Sequence, residues 1–333
     1  FTVTPYSIPF IQPLKTAGNS FTHREGVWLN LEWGDFSGLG EAAPLPGFSG
    51  ETLKEVYYSL EGFHQAVDGE SFEKEELFSL AEVHTHETPS VRFALETALH
   101  DLFSQESGQP IAIYLNSNAH TKLAVNGIAG VHAPEDGFKV MKVKVGFRNI
   151  FDEIENLATL TQSFGKDILF RLDANGSFDL PQAIRFCKEM EAFNIDYIEQ
   201  PLPAEELVDL SELSYHTEIP IAVDESLTDL ASAKKIIEEQ SASVFIIKPM
   251  VSGGFSESKK ICRALHTITA PITTDSRGSI HRSRVLAINN LNFWIFSREP
   301  FIRIRILNRM RSNNHLLVWS VLFEKSNQLE HRF

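Results

Sequence analysis

Cysteine is nearly absent from this 333-residue chain, with Cys187 and Cys262 the only two. Lacking any CxxC spacing, they exclude a disulfide framework or a thiolate metal site and suit a reducing, cytoplasmic compartment. Long apolar runs are missing too: no stretch of about 18 uninterrupted apolar residues exists, so no transmembrane helix is expected. Residues 1–13 carry no basic region ahead of an apolar one and do not read as a secretory signal. Positive charge is also scarce. The 30 Lys and Arg face 44 Asp and Glu, a net charge of −14, which argues against the phosphate backbone of a nucleic acid as the partner. The deficit is uneven. From Asp275 to Phe333 nine Arg and one Lys stand against four acids, so that a +6 segment follows 274 residues carrying −20. Such asymmetry marks either a nucleic-acid-binding tail or a segment foreign to the rest.

What is present is an ordinary globular composition, 43% apolar and 22% charged, in a chain long enough for one large domain or two. Val27 to Trp33 alternates partly and is followed by turn glycines at Gly34, Gly38 and Gly40, which predicts strands and turns. From about Glu51 to Gly108 the apolar residues recur at helical spacing, as in Leu53, Val56, Tyr57 and Leu60, then Ala94, Leu95, Ala98, Leu99 and Leu102. Residues 1–115 therefore read as an α+β domain. Beyond them, short β-rich runs alternate with helical segments: Leu123 to Val125, Val140 to Val145, Ile168 to Leu172, Tyr197-Ile198, Ile219 to Val223, Val244 to Ile247 and Pro271 to Thr273. That alternation predicts βα units on a parallel sheet over residues 116–291.

The strand ends carry the chemistry. Lys144, Asp173, Glu199, Asp224, Lys248 and Thr273 succeed one another at intervals of 29, 26, 25, 24 and 25 residues, one βα unit each. In a (β/α) barrel consecutive strand ends converge on one mouth, whereas a doubly wound sheet would spread them along an edge. Any single acid here could merely cap the next helix. Three carboxylates facing one cavity would repel unless a cation neutralised them. Oxygen donors without His or Cys point to Mg²⁺, with Mn²⁺ a possible replacement, and away from zinc. Lys142 and Lys144, two apart on a strand, share a face. Lys248 ends the apolar run Phe245-Ile246-Ile247, where an unpartnered ammonium would be costly. A base that removes a proton alpha to a carboxylate needs its pKa lowered towards about 7–8, and a neighbouring ammonium and a metal both lower it. Lys142 would thus tune Lys144.

The KxK pair, the Asp/Glu/Asp strand ends and the later Lys together resemble the enolase superfamily, in its muconate-lactonizing-enzyme-like subgroup, from about Phe10 to Ile272. The resemblance implies a modified (β/α)₇β TIM-like barrel with an α+β capping domain. It makes Lys144 the base, Lys142 its neighbour and Lys248 the lysine across the substrate, with Asp173, Glu199 and Asp224 on Mg²⁺. Gly40-Glu41-Ala42-Ala43-Pro44-Leu45-Pro46-Gly47-Phe48-Ser49 and Ile247-Lys248-Pro249-Met250-Val251-Ser252-Gly253-Gly254 are most similar to the o-succinylbenzoate synthase family. The implied reaction is syn dehydration of 2-succinyl-6-hydroxy-2,4-cyclohexadiene-1-carboxylate in menaquinone biosynthesis. Pro46, Phe48, Ser49, Asn175, Gly253, Thr273 and Thr274 are the candidate substrate contacts. The partner is then a small carboxylate, with neither nucleic acid nor membrane involved, and a homo-oligomer is compatible with this reading.

Dipeptide epimerases and N-acylamino-acid racemases of the same superfamily need the same two lysines and are the alternative. A third reading is a non-catalytic or damaged metal-binding barrel. Its basis is the chain end, where Arg277 stands about where the family has an acid. Val285 to Leu291 still reads as the next helix, but residues 292–333 replace the family's last strand and its return to the capping domain. The Arg enrichment there resembles out-of-frame translation.

Overall fold

The computed structural model describes residues 1–15, 20–47, 49–119, 125–268, 284–288 and 293–296. The chain divides into two compact units. One comprises residues 1–119 with 223–296; the other is built, among the described residues, from 125–222.

The first unit opens with an antiparallel meander of β1 (Thr2–Lys15), β2 (Ser20–Trp33) and β3 (Phe36–Ala42). Four helices follow: α1 (Leu53–Val67), α2 (Lys74–His84), α3 (Pro89–Glu106) and the short α4 (Ile111–Leu115). The start of α1 is written locally. Thr52 and Glu55 form a reciprocal capping box, which satisfies two otherwise orphaned N–H groups. Val56, Leu60 and Phe63 then repeat at helical spacing and are buried. On β2 the alternation Val27, Leu29, Leu31 points one face into the same core, against Ala94, Leu95, Ala98 and Leu102 of α3.

The packing of β3 on α3 depends on absent side chains. Leu29 and Leu31 pair across the sheet with Gly40 and Gly38. A Cβ on Gly40 would overlap the Ala94 carbonyl oxygen, and one on Gly38 that of Ala98. Two glycines two apart on a strand thus meet two alanines four apart on a helix, and backbone packs on backbone.

The second unit has a parallel ladder of β4 (Gly127–Ile128), β5 (Val140–Lys144), β6 (Leu169–Asp173), β7 (Ile195–Glu199) and β8 (Ile221–Val223). Helices α5 (Ile150–Phe164), α6 (Leu180–Met190) and α7 (Leu207–His216) connect β5 through β8. Asn149 caps α5, and Asp179 with Gln182 forms a capping box on α6. The expected βα alternation is therefore present. Of the expected first run, Leu123 and Ala124 lie outside the described residues, and the strand stands at Gly127–Ile128 instead.

The later part of the first unit holds α8 (Leu230–Glu238), β9 (Val244–Ile247), α9 (Pro249–Ser252), α10 (Gly254–Ile268), β10 (Arg284–Ile288) and β11 (Phe293–Phe296). All four residues of β9 are buried, as expected of a parallel strand covered on both faces. The helix expected at Val285 to Leu291 is corrected: Arg284–Ile288 is a strand, parallel to β9 in the register Val285↔Phe245. A contiguous apolar run this short has no period that separates strand from helix, and a ladder alongside β9 decides it. β11 then reverses direction and pairs antiparallel with β10. The strand expected at Pro271 to Thr273 lies outside the described residues. Among the described residues no helix is long and apolar enough to cross a membrane.

The glycine–alanine contact gives a direct expectation. Gly40→Ala should lower unfolding free energy by about 2 kcal/mol or more, in the range of overpacked cores. Gly69→Ala, where open space surrounds the site and a left-handed φ is the only obstacle, should cost about 1 kcal/mol. Urea denaturation of the two variants checks the order.

Candidate active site

In the second unit the parallel register sets the predicted residues in rows. Lys144 pairs with Asp173, and Asp173 with Glu199, so the three occupy one level across β5, β6 and β7. One level deeper, Lys142 pairs with Arg171 and Arg171 with Tyr197. Period-2 alternation keeps both rows on the same face.

The upper row is closed by charge. Lys144 Nζ donates to Asp173 Oδ2 at 2.7 Å, and Lys142 Nζ lies 2.8 Å from the same oxygen. Lys142 also donates to Glu199 Oε1 at 2.7 Å. The two ammonium groups therefore share an acceptor, which is the proximity expected if one lysine tunes the other. Burial alone would raise the Asp173 carboxyl's pKa, but Lys142 and Lys144 hold it below the usual carboxylate range. Exposure separates the lysines: the Lys144 side chain is 56% exposed and that of Lys142 21%. Lys144 faces outward, and Lys142 stands behind it. Asn175 completes the cluster. Its side-chain oxygen accepts from Lys144, its N–H donates to Asp173 Oδ1 at 3.3 Å, and its backbone is left-handed at φ 45°.

Beside Lys142, the lower row holds two residues that were not sequence-predicted, Arg171 and Tyr197. Arg171 donates through Nε to Asp196 Oδ2 at 3.0 Å and through Nη1 to Asn126 Oδ1 at 3.1 Å, and its guanidinium lies over the Tyr197 ring. The signal was available, because Arg171 and Tyr197 stand two residues before Asp173 and Glu199. Burial pushes the Tyr197 hydroxyl's pKa upward, so the layer beneath the carboxylates carries a neutral phenol and a compensated guanidinium.

In the first unit Asp224 follows β8 directly, and its Oδ2 accepts from Lys248 Nζ at 2.5 Å. Both side chains are largely buried. Lys248 caps α9, its carbonyl accepting from the N–H groups of Val251 (2.8 Å) and Ser252 (2.9 Å). Gly253 ends that helical turn with φ +90°.

The loop after β3 is also in the first unit. Pro46 is exposed, and Ser49 closes a turn on Leu45, accepting from its N–H at 2.9 Å and donating to its carbonyl at 2.8 Å. Sequence reasoning missed the loop's anchor. Arg24 donates to the carbonyl of Pro44 at 3.0 Å and to that of Ala43, while the Tyr6 hydroxyl donates to Glu41. Burial raises the Glu41 carboxyl's pKa against the opposing pull of Tyr6 and Arg24. Phe48, Thr273 and Thr274, with Arg277, lie outside the described residues.

Asp173, Glu199 and Asp224 are all buried carboxylates, a hard-oxygen donor set of the kind Mg²⁺ takes. Among the described residues no three His, Cys, Asp or Glu side chains are gathered closely enough to hold a metal ion. Each of the three predicted ligands is instead compensated by an ammonium: Lys142 and Lys144 on Asp173, Lys142 on Glu199, and Lys248 on Asp224. Taken singly, their oxygen donors and burial suit such an ion.

The chain is similar to known proteins. Residues 129–292 match the family described as "Enolase C-terminal domain-like", and residues 1–102 match "MenC, N-terminal domain". The L-Ala-D/L-Glu epimerase of Francisella tularensis subsp. novicida is 27% identical over 280 residues, covering 80% of this chain and 78% of that protein. The substrate-liganded L-Ala-D/L-Glu epimerase of Bacillus subtilis superposes with a TM-score of 0.72 at 25% identity, covering 80% of this chain and 79% of that one. The dipeptide epimerase of Enterococcus faecalis V583, complexed with Mg and L-Leu-L-Tyr, superposes at 0.73 and 23% identity, covering 85% and 88%. The fold class is that of these structures, a TIM-like barrel with an α+β capping domain.

The lysine–Asp173 contacts set a pH dependence. A carboxyl whose folded pKa lies below its unfolded value of about 3.9 contributes stability above that value and loses it as the pH falls through the folded pKa. Asp173→Asn should therefore be less stable than the parent at pH 7, with the gap narrowing below about pH 4. Thermal melts of both proteins from pH 7 to pH 3 check this; a gap that stays constant would mean the lysines do not set the Asp173 charge.

Proposed function

We propose that the chain is a member of the enolase superfamily, with residues 129–292 matching its C-terminal domain-like family, and that it catalyses a metal-assisted reaction that begins by removing the proton alpha to the carboxylate of a small substrate. The row Lys144, Asp173 and Glu199 carries this reading, because it presents an exposed lysine beside buried acids whose charge is already compensated. Lys144 acts as the base, and Lys142 is the neighbouring ammonium that shares its acceptor oxygen on Asp173. Asp173, Glu199 and Asp224 would hold Mg²⁺, or Mn²⁺ in its place. The bound ion would supply Lewis-acid stabilisation of the charge that develops on the substrate carboxylate. Lys248 provides the second cationic group. Asn175 orients Lys144, and Pro46, Phe48, Ser49, Gly253, Thr273 and Thr274 are assigned to the rest of the substrate.

Epimerisation of a dipeptide, or racemisation of an N-acylamino acid, is the overall reaction that the relatives support best. In it Lys144 and Lys248 exchange the alpha proton on opposite faces. One specific observation favours a second reading, dehydration to o-succinylbenzoate: the N-terminal domain matches that of MenC, and this domain carries the loop Ala43 to Ser49. Here Lys144 removes the proton and Lys248 stabilises charge by an ionic or cation–π contact. The two cysteines, without paired spacing, suit an enzyme of a reducing cytoplasm.

Lys144→Ala should reduce turnover by about 10³-fold, within the range of a lost general base, and should stop solvent deuterium from entering the alpha position as read by NMR. Turnover that survived the substitution would remove the assignment. Chelation should abolish activity and added Mg²⁺ restore it. Parallel assays with L-Ala-L-Glu and with the cyclohexadiene carboxylate separate the two reactions: inversion of the dipeptide supports the first, and o-succinylbenzoate formation the second.

A further inference from the structure

Helix α10 begins directly after Gly253, so its own N-cap position has no side chain to offer the orphaned N–H groups of its first turn. The partner comes from 160 residues away. Glu96, on α3 of the capping domain, accepts from the Ser256 N–H at 2.9 Å through Oε2 and from the Ser256 hydroxyl through Oε1. Arg92, one turn earlier, donates to Glu96 at 3.3 Å, to the Ser256 hydroxyl at 3.0 Å and lies 3.1 Å from Glu82. Glu96 is buried, and a Cβ on Gly254 would strike its carboxylate. Phe93 packs its ring against Phe255 at 5.7 Å. The residue fastened in this way lies eight positions after Lys248. Between them stand the single turn of α9, whose N–H groups bond the Lys248 carbonyl, and two left-handed glycines, Gly253 and Gly254.

We propose that Glu96, with Arg92 and Ser256, is a positioning group for Lys248. The capping domain caps α10 from outside, holds the glycine turn, and so sets the backbone from which Lys248 reaches Asp224. This rests on the reading of Lys248 as a functional lysine. A displacement of the turn would misplace the ammonium without removing it, and small misplacements of a catalytic group slow the chemical step more than they weaken binding.

The test uses the full chain and the milder substitution, Ser256→Ala, with Glu96→Gln beside it and Ser256→Thr as the rescue. Ser256→Ala should lower kcat about tenfold with KM within about twofold, and Ser256→Thr should recover most of the loss. Hydrogen exchange at the amides of residues 249–256 should accelerate in Ser256→Ala and Glu96→Gln. Faster exchange with an unchanged kcat would reduce the contact to stability alone and overturn the proposal. A kcat loss not recovered by Ser256→Thr would overturn it too. If the parent turns over neither substrate class, the proposed function fails by itself. Exchange unchanged in both variants would separately sink the capping.

Discussion

Parallel pairing of β5, β6 and β7 is the constraint on which the chemistry depends. It aligns Lys144 with Asp173 and Asp173 with Glu199, and places Lys142 one level behind them. Two of these side chains are carboxylates with almost no exposure. An uncompensated buried charge would cost several kcal/mol, so the lysines are required by the fold before any reaction is considered. The same contact that stabilises the strands brings the two ammonium groups onto one oxygen. Stability and reactivity share a single arrangement, in which removing either lysine would leave a buried acid with less compensation.

Helix α3 links the capping domain to the rest of its unit for a comparable reason. Ala94 and Ala98, four apart, lie against the glycines of β3. Arg92, Glu96 and His100, also four apart but offset by two residues, turn towards α10, with Glu96 on Ser256 and the His100 ring 5.8 Å from that of Phe255. Two residues along a helix amount to about 200°, so the two sets occupy opposite faces. A helix buried on both sides cannot be amphipathic in the usual sense. Its second face is therefore polar where it must recognise a helix terminus and aromatic where it must pack. His100 follows suit: burial lowers its pKa to about 4, so it serves that face as a neutral ring.

Much of this was legible in the sequence, for identifiable reasons. The strand-end period reported one βα unit at a time, and β9 matched its apolar run residue for residue. KxK could be read because alternation in a strand is strict. The rest failed where the cause was not local. Nothing around Ser256 announces that its N–H will be met by Glu96, because the partner belongs to another part of the chain. Arg24 carried no motif, and its role appears only when β2 brings it to the carbonyls of Ala43 and Pro44. The helix expected from Val285 begins instead as the strand Arg284–Ile288, because a short apolar run acquires its identity from the strand beside it.

Proton chemistry and substrate choice are carried by different kinds of structure. Dehydration and epimerisation both begin with loss of the alpha proton, so both can use the same lysines and acids, held by rigid strands. What distinguishes them is the remainder of the substrate, a succinyl arm or a second amino acid, which the proposed function assigns largely to loops. The loop after β3 is fixed by Arg24 through the carbonyls of Ala43 and Pro44 and by the Leu45–Ser49 turn, in which the Ser49 hydroxyl accepts from the Leu45 N–H, while Pro46 takes no part in that anchoring. A substitution at Pro46 would therefore leave those anchoring bonds in place. The match over residues 129–292 and the epimerase relatives thus bear on the proposed proton transfer, and the match over residues 1–102 on the proposed choice of substrate.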